Sequence, residues 1–142
     1  MNDLTEEERE LILRLRAWNE VKINLNLHAG RQNIREGQIY WAGVGQNVGE
    51  EMFGKGDSYT RPVLVFRKLS RFRFMGIPLT SQEHEGSWYV PFMHDDKKQV
   101  AVVGQARVMS TKRLFNMIGE IDSSDMRRIE EGFKNLYVKN IP

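Results

Sequence analysis

The chain opens in a helical rhythm and passes into a strand rhythm near residue 35. Thr5 and Glu8 have the spacing of a capping box, in which each side chain satisfies the other's orphan backbone donor, and acids fill the first turn. Leu11, Ile12, Leu15 and Trp18 then recur at helical intervals and predict one apolar stripe. Val21, Ile23, Leu25 and Leu27 alternate instead, a pattern open to further helix or to a short strand ending near His28. Ala29 to Asn33 reads as a linker. Beyond it the apolar runs are short and predict strands over Gln38 to Ala42, Pro62 to Lys68, Phe74 to Leu79, Ser87 to Phe92 and Gln99 to Met109. A glycine-rich loop from Gly43 to Thr60 separates the first two. Asp122 or Ser123 can cap a final helix with Met126, Ile129, Phe133, Leu136 and Tyr137 as its buried stripe.

Five short strands with tight turns point to a small barrel, because closure disposes of exposed edges. At 142 residues the chain suits one domain with a real core. No apolar run approaches the roughly 20 residues needed to cross a bilayer, and the first residues are acidic. A soluble protein of the cytoplasm, not exported and without a membrane partner, is the expectation. The sequence has no cysteine, which excludes disulfides, thiolate metal sites and cysteine nucleophiles.

The net charge of +2 says little, but its distribution is uneven. Acids crowd the start at Asp3, Glu6, Glu7, Glu8 and Glu10, whereas Arg61, Arg67, Lys68, Arg71 and Arg73 follow one another with no acid between. Strand alternation over Arg71-Phe72-Arg73-Phe74 would send both phenylalanines to one face and both arginines to the other. That arrangement is either a solvated hairpin or a track for a nucleic-acid backbone.

The chemistry-bearing candidates sit at strand ends. Arg61 opens the run Pro62-Val63-Leu64-Val65-Phe66, and Thr80-Ser81-Gln82 closes the run Gly76-Ile77-Pro78-Leu79. An antiparallel hairpin would make Arg61 and Thr80 neighbours. A guanidinium beside hydroxyl and amide groups suits a phosphate, since arginine stays charged and matches two phosphate oxygens at once. No metal site is predicted: His28, His84 and His94 are scattered, and His94-Asp95-Asp96 reads as a solvated turn. Gly54-Lys55-Gly56 falls short of a phosphate loop, and there is no nucleophile-elbow serine.

From Arg35 onward the sequence resembles the MazF/PemK family of toxin components of toxin–antitoxin pairs. The matching pieces are Glu36-Gly37-Gln38-Ile39-Tyr40-Trp41, Gly49-Glu50-Glu51, Arg61-Pro62-Val63-Leu64-Val65, Ile77-Pro78-Leu79-Thr80-Ser81, Gln105-Ala106-Arg107, Lys112-Arg113-Leu114 and Ile118-Gly119. The resemblance implies a mainly β fold with α: a small SH3-like barrel of the MazF/PemK/CcdB type over 35–142, a C-terminal helix, and an extra N-terminal helical extension over 1–34. It implies a metal-independent endoribonuclease without cofactor that cleaves single-stranded RNA by attack of the 2′-hydroxyl. A homodimer and a cognate antitoxin are the implied protein partners.

Within that resemblance Arg61 stabilises the phosphorane and can protonate the leaving oxygen, Thr80 orients the phosphate or 2′-hydroxyl, and Glu51 is the candidate proton acceptor. Ser81, Gln82, Gln105, Lys55, Arg71 and Arg73 are the candidate RNA contacts, and Trp41, Tyr59, Trp88 and Tyr89 the candidate stacking rings. Three departures stand out. Met52 replaces a frequent glutamine, Gly104 stands where some relatives carry a carboxylate, and the first loop lacks the histidine that some have. The departures make an inactive RNA-binding barrel one alternative reading, and the shared CcdB-type barrel makes a gyrase inhibitor another.

Overall fold

The structure, a computed structural model, describes residues 3–138. A long helix α1 (Glu6–Leu27) is followed by strands β1 (Gln38–Gly43), β2 (Thr60–Lys68), β3 (Arg73–Thr80), β4 (Tyr89–His94), β5 (Lys97–Val102), β6 (Arg107–Ser110) and β7 (Leu114–Glu120). Helix α2 (Ser123–Tyr137) closes the order. All pairings are antiparallel. The strands run β4-β5-β3-β2-β1-β7, with β6 joined to β3, so the sheet bends around β3 instead of closing through a last pair. The mainly β architecture with a helix at each end agrees with the expected fold; the described residues form seven strands where five were expected.

The difference has two physical sources. The predicted strand Gln99 to Met109 does run along one edge of β3, but from Ala101 opposite Leu79 to Arg107 opposite Gly76 it advances six positions against three. The surplus is taken up by a single 3-10 turn, Val103–Gln105, which divides the run into β5 and β6. Strand β7 escaped prediction because it is an edge strand with one buried residue, Leu114, and so carries no alternation to read.

Strand β2 is the centre of the molecule. Its run Val63-Leu64-Val65-Phe66 is buried throughout because alternate residues serve two cores. Leu64 and Phe66 join Ile39, Ile77, Leu79, Val90, Phe92 and Ile129 beneath α2, where Met126, Phe133 and Leu136 pack as expected. Val63 and Val65 join Tyr40, Ala42, Phe74 and Met109 on the other side. Phe72 does not accompany Phe74 inward: β3 begins only at Arg73, so Phe72 precedes the pleat and stays exposed.

The capping box at Thr5 is present in both directions, and the segment to Leu27 is helix throughout. The buried stripe, however, is not the expected one. Trp18 and Leu25, with Val21 beside them, pack on Tyr59, whereas Leu11 and Leu15 are exposed. α1 is held by the loop between β1 and β2, together with Phe115 of β7 and a bond from Lys112 to the Asn26 carbonyl. Gly45, at φ +86°, lies so close to the Trp18 indole that a Cβ there would stand 2.2 Å from the ring, which only glycine avoids. Arg14 donates to Gln46 Oε1 at 2.9 Å and to the Gly54 carbonyl at 3.3 Å, and its guanidinium sits 4.5 Å from the centre of the Tyr59 ring. Among the described residues no helix is long and apolar enough to cross a membrane.

Candidate active site

Register decides which side chains meet. Val63 pairs with Pro78, and the same antiparallel step carried two residues further sets Arg61 level with Thr80. Both are buried, at 8% and 7% exposure, yet both line one cavity of about 670 Å³. Trp41, Lys55, Gly56, Thr60, Ser81, His94, Asp95, Lys97 and Gln99 complete its walls, over an apolar floor of Ile39, Leu79 and Ile118. Lys55, Arg61 and Lys97 supply three positive charges against the one carboxylate of Asp95, so the cavity favours an anion.

Arg61 is anchored without being neutralised. Its Nε donates to the Phe53 carbonyl at 2.7 Å, and the Phe53 ring lies 5.9 Å from the guanidinium carbon. Burial lowers its pKa, with no charged neighbour contributing, and the group nevertheless stays protonated. The terminal nitrogens keep their donors for a ligand, which an oxyanion can accept in a fork. Thr80 Oγ1 accepts from the Gln82 N–H at 3.2 Å, which aims the hydroxyl and leaves its proton to donate.

The sequence match to the family described as PemK-like, MazF-like toxin of type II toxin-antitoxin system spans residues 35–137. The chain belongs to that family. MazF from Deinococcus radiodurans resembles it with a TM-score of 0.58 at 17% identity, covering 77% of this chain and 97% of its own. A mycobacterial endoribonuclease solved with its cognate antitoxin gives 0.56 at 14%, over 78% and 100% of the two chains. The Mycobacterium tuberculosis toxin MazF-mt6 gives 0.54 at 15%, over 73% and 99%. No curated protein matches the chain.

The other predicted site residues of this MazF-like chain divide by position. Lys55 and Ser81 line the cavity, whereas Gln82 is exposed and does not line it. Glu51 is exposed on the β1–β2 loop, where its Oε1 accepts from the Val48 N–H at 3.0 Å. Gln105 clasps the same loop: its Nε2 donates to the Glu50 carbonyl and its Oε1 accepts from the Met52 N–H, each at 2.9 Å. Its amide thus holds the two peptides that flank Glu51. Arg71 and Arg73 lie at the turn end of the β2–β3 hairpin, roughly 23 Å of strand from Arg61.

The aromatic candidates separate in the same way. Trp41 is 39% exposed at the cavity wall, and Trp88 is 54% exposed. Tyr59 is buried beneath α1, and Tyr89 stacks on His84 with ring centres 4.6 Å apart. Trp88 also accounts for the departure at Gly104, since a Cβ there would stand 2.8 Å from its indole. A side chain at that point of the 3-10 turn would have to displace the Trp88 ring.

His94 was read as part of a solvated turn, and the structure corrects that. Only the next two residues, Asp95 and Asp96, form the turn, at φ 50° and 61°. His94 ends β4 with its side chain 17% exposed, in the wall of the Arg61 cavity. The signal was available, because Val90, Phe92 and His94 share the inward parity of β4. Among the described residues, no three His, Asp or Glu side chains are grouped as a metal's ligands would be.

Proposed function

We propose that this protein is a toxin-type endoribonuclease that cuts single-stranded RNA, without a metal, by attack of the 2′-hydroxyl on the adjacent phosphorus. One observation carries the reading: a buried guanidinium, anchored on a neutral carbonyl, sits level with a threonine hydroxyl in an electropositive cavity. RNA carries its own nucleophile, so the protein has only to orient the phosphate, move protons and stabilise the phosphorane oxygens. The terminal nitrogens of Arg61 supply the charge and Thr80 the orienting bond. Lys55 and Lys97 hold the flanking phosphates, and Trp41 offers a face on which an unstacked base can rest. The mycobacterial endoribonuclease solved with its cognate antitoxin supports RNA as substrate and an antitoxin as partner; a two-fold pair of the toxin is the working assembly that we propose.

A second reading, an RNA grip without cleavage, is favoured by the Gly104 site, where the Trp88 ring fills the space a carboxylate would need. One assay separates the two. A long RNA is incubated with the wild type and with Arg61→Ala in excess chelator, and the product ends are mapped. Cutting that yields 2′,3′-cyclic phosphate and 5′-hydroxyl ends and disappears in the variant supports the nuclease. Retention on RNA with no cutting by the wild type supports the grip, and altered DNA supercoiling in place of either would replace both readings with gyrase inhibition.

A further inference from the structure

We propose that His94 is the proton acceptor of the cleavage step, oriented by Asp95 and seated by Gly119. The proposal rests on the endoribonuclease reading and supplies the group which that reading lacks. Glu51 is turned toward its own loop, and Arg61 and Thr80 cannot accept a proton in the working pH range. His94 stands in the wall of the same cavity as both.

Its seat is specific. Nε2 is sealed from solvent and makes no hydrogen bond, and the Asp95 carboxylate lies 3.5 Å from it. A carboxylate on that side favours the tautomer with hydrogen on Nε2 and stabilises the imidazolium once it forms. Nδ1 then carries the lone pair and is the nitrogen left to meet a ligand. The ring fits because β7 offers Gly119, where a Cβ would stand 2.8 Å from Nε2.

The step balances as a transesterification. Nδ1 takes the 2′-hydroxyl proton as the bond from O2′ to phosphorus forms and the bond from phosphorus to O5′ breaks. Arg61 and Thr80 hold the non-bridging oxygens meanwhile. O5′ takes a proton from water at the open mouth of the cavity, and the imidazolium returns its proton to the resulting hydroxide. The charged groups that share its cavity are Asp95 on its own turn, Lys97 across the β4–β5 pair, and Lys55 and Arg61 elsewhere in the lining. From β7 it meets Gly119, with Ile118 beside it in the wall, and neither titrates.

The test is the single-turnover cleavage of an end-labelled single-stranded RNA by the full chain from about pH 5 to 9, a range that brackets an ordinary imidazole. The wild type should show a rate that climbs with pH and then levels, as a general base requires. His94→Gln should lower the plateau at least about 100-fold and abolish that acid limb, the usual scale for a lost general base. Gly119→Ala, which leaves His94 in place but fills its seat, should lower the rate with the melting temperature nearly unchanged. Asp95→Asn should lower the rate across the whole pH range with the melting temperature unchanged, and it decides the matter should His94→Gln fail to fold. A variant that melts earlier yet keeps the wild-type limb overturns the proposal, as does His94→Gln cutting at the wild-type rate. A wild type that cuts no RNA at any pH overturns the nuclease reading together with it.

Discussion

Arg61 and Arg67 lie six residues apart on one strand, each with a phenylalanine ring beside its guanidinium, and they meet opposite fates. Arg67, 4.3 Å from the Phe66 ring, reaches Glu130 of α2 at 2.8 Å and donates to the Phe66 carbonyl at the same distance. Its charge is spent inside the molecule, tying β2 to the helix. Arg61 is held by a single carbonyl, and burial alone lowers its pKa. A carbonyl fixes direction without cancelling charge, so the Arg61 end of β2 presents a directed cation where the Arg67 end presents a closed pair. Residue type and strand are the same at both ends; what differs is which element packs over the end.

The largest effect expected from that contrast is on cleavage. Arg61→Ala should reduce the single-turnover rate on RNA at least about 100-fold, the scale of a lost oxyanion donor, with an unchanged fold by circular dichroism. Arg61→Lys should recover only part of it, because a lysine cannot hold the Phe53 carbonyl and a phosphate at once. Thr80→Val comes next, at about tenfold, the value of one hydrogen bond to a charged group. If the rate stays at the wild-type level, the hydroxyl has no part in the reaction.

A smaller effect probes how the Arg61 end is supported. Arg14 of α1 holds the carbonyl of Gly54, whose neighbour Phe53 anchors Arg61. Arg14→Ala should slow cleavage about threefold, in line with one neutral-acceptor bond, and raise proteolytic nicking of the β1–β2 loop. Equal rates for this variant and the wild type would show that α1 has no hold on the site. The smallest effect belongs to the other end: Arg67→Ala should leave cleavage unchanged and cost at most about 1 kcal/mol in urea unfolding, since its ion pair is about 40% exposed at both partners. A loss of cleavage there would erase the contrast between the two ends.

How much of this was legible in the chain varies with the range of the interaction concerned. The capping box, α2 with its Ile129 stripe, and the doubly buried run of β2 are local patterns, and periodicity displays them. Arg61 opposite Thr80 was also readable, because a hairpin register propagates from a short segment. Strand β7 was hidden because an edge strand with one buried residue leaves no periodic trace. The seat of α1 was misplaced because its partners, Gly45 and Tyr59, lie in a loop without periodicity. Tyr59, whose ring resembled an RNA contact, was drawn beneath that helix by the same packing.

Pattern alone thus determined the two helices, the central hairpin, the family and the placing of Arg61 opposite Thr80, all of which follow from neighbours in sequence. Tertiary structure decided the rest: that Arg61 is left without an acidic partner while Arg67 is paired with Glu130, that Gln105 clasps the loop bearing Glu51, and that His94 turns into the cavity against Gly119. Each of these joins residues from strands or loops far apart in the chain. Whether a side chain there ends up paired, buried or free depends on what folds over it, and no local pattern records that.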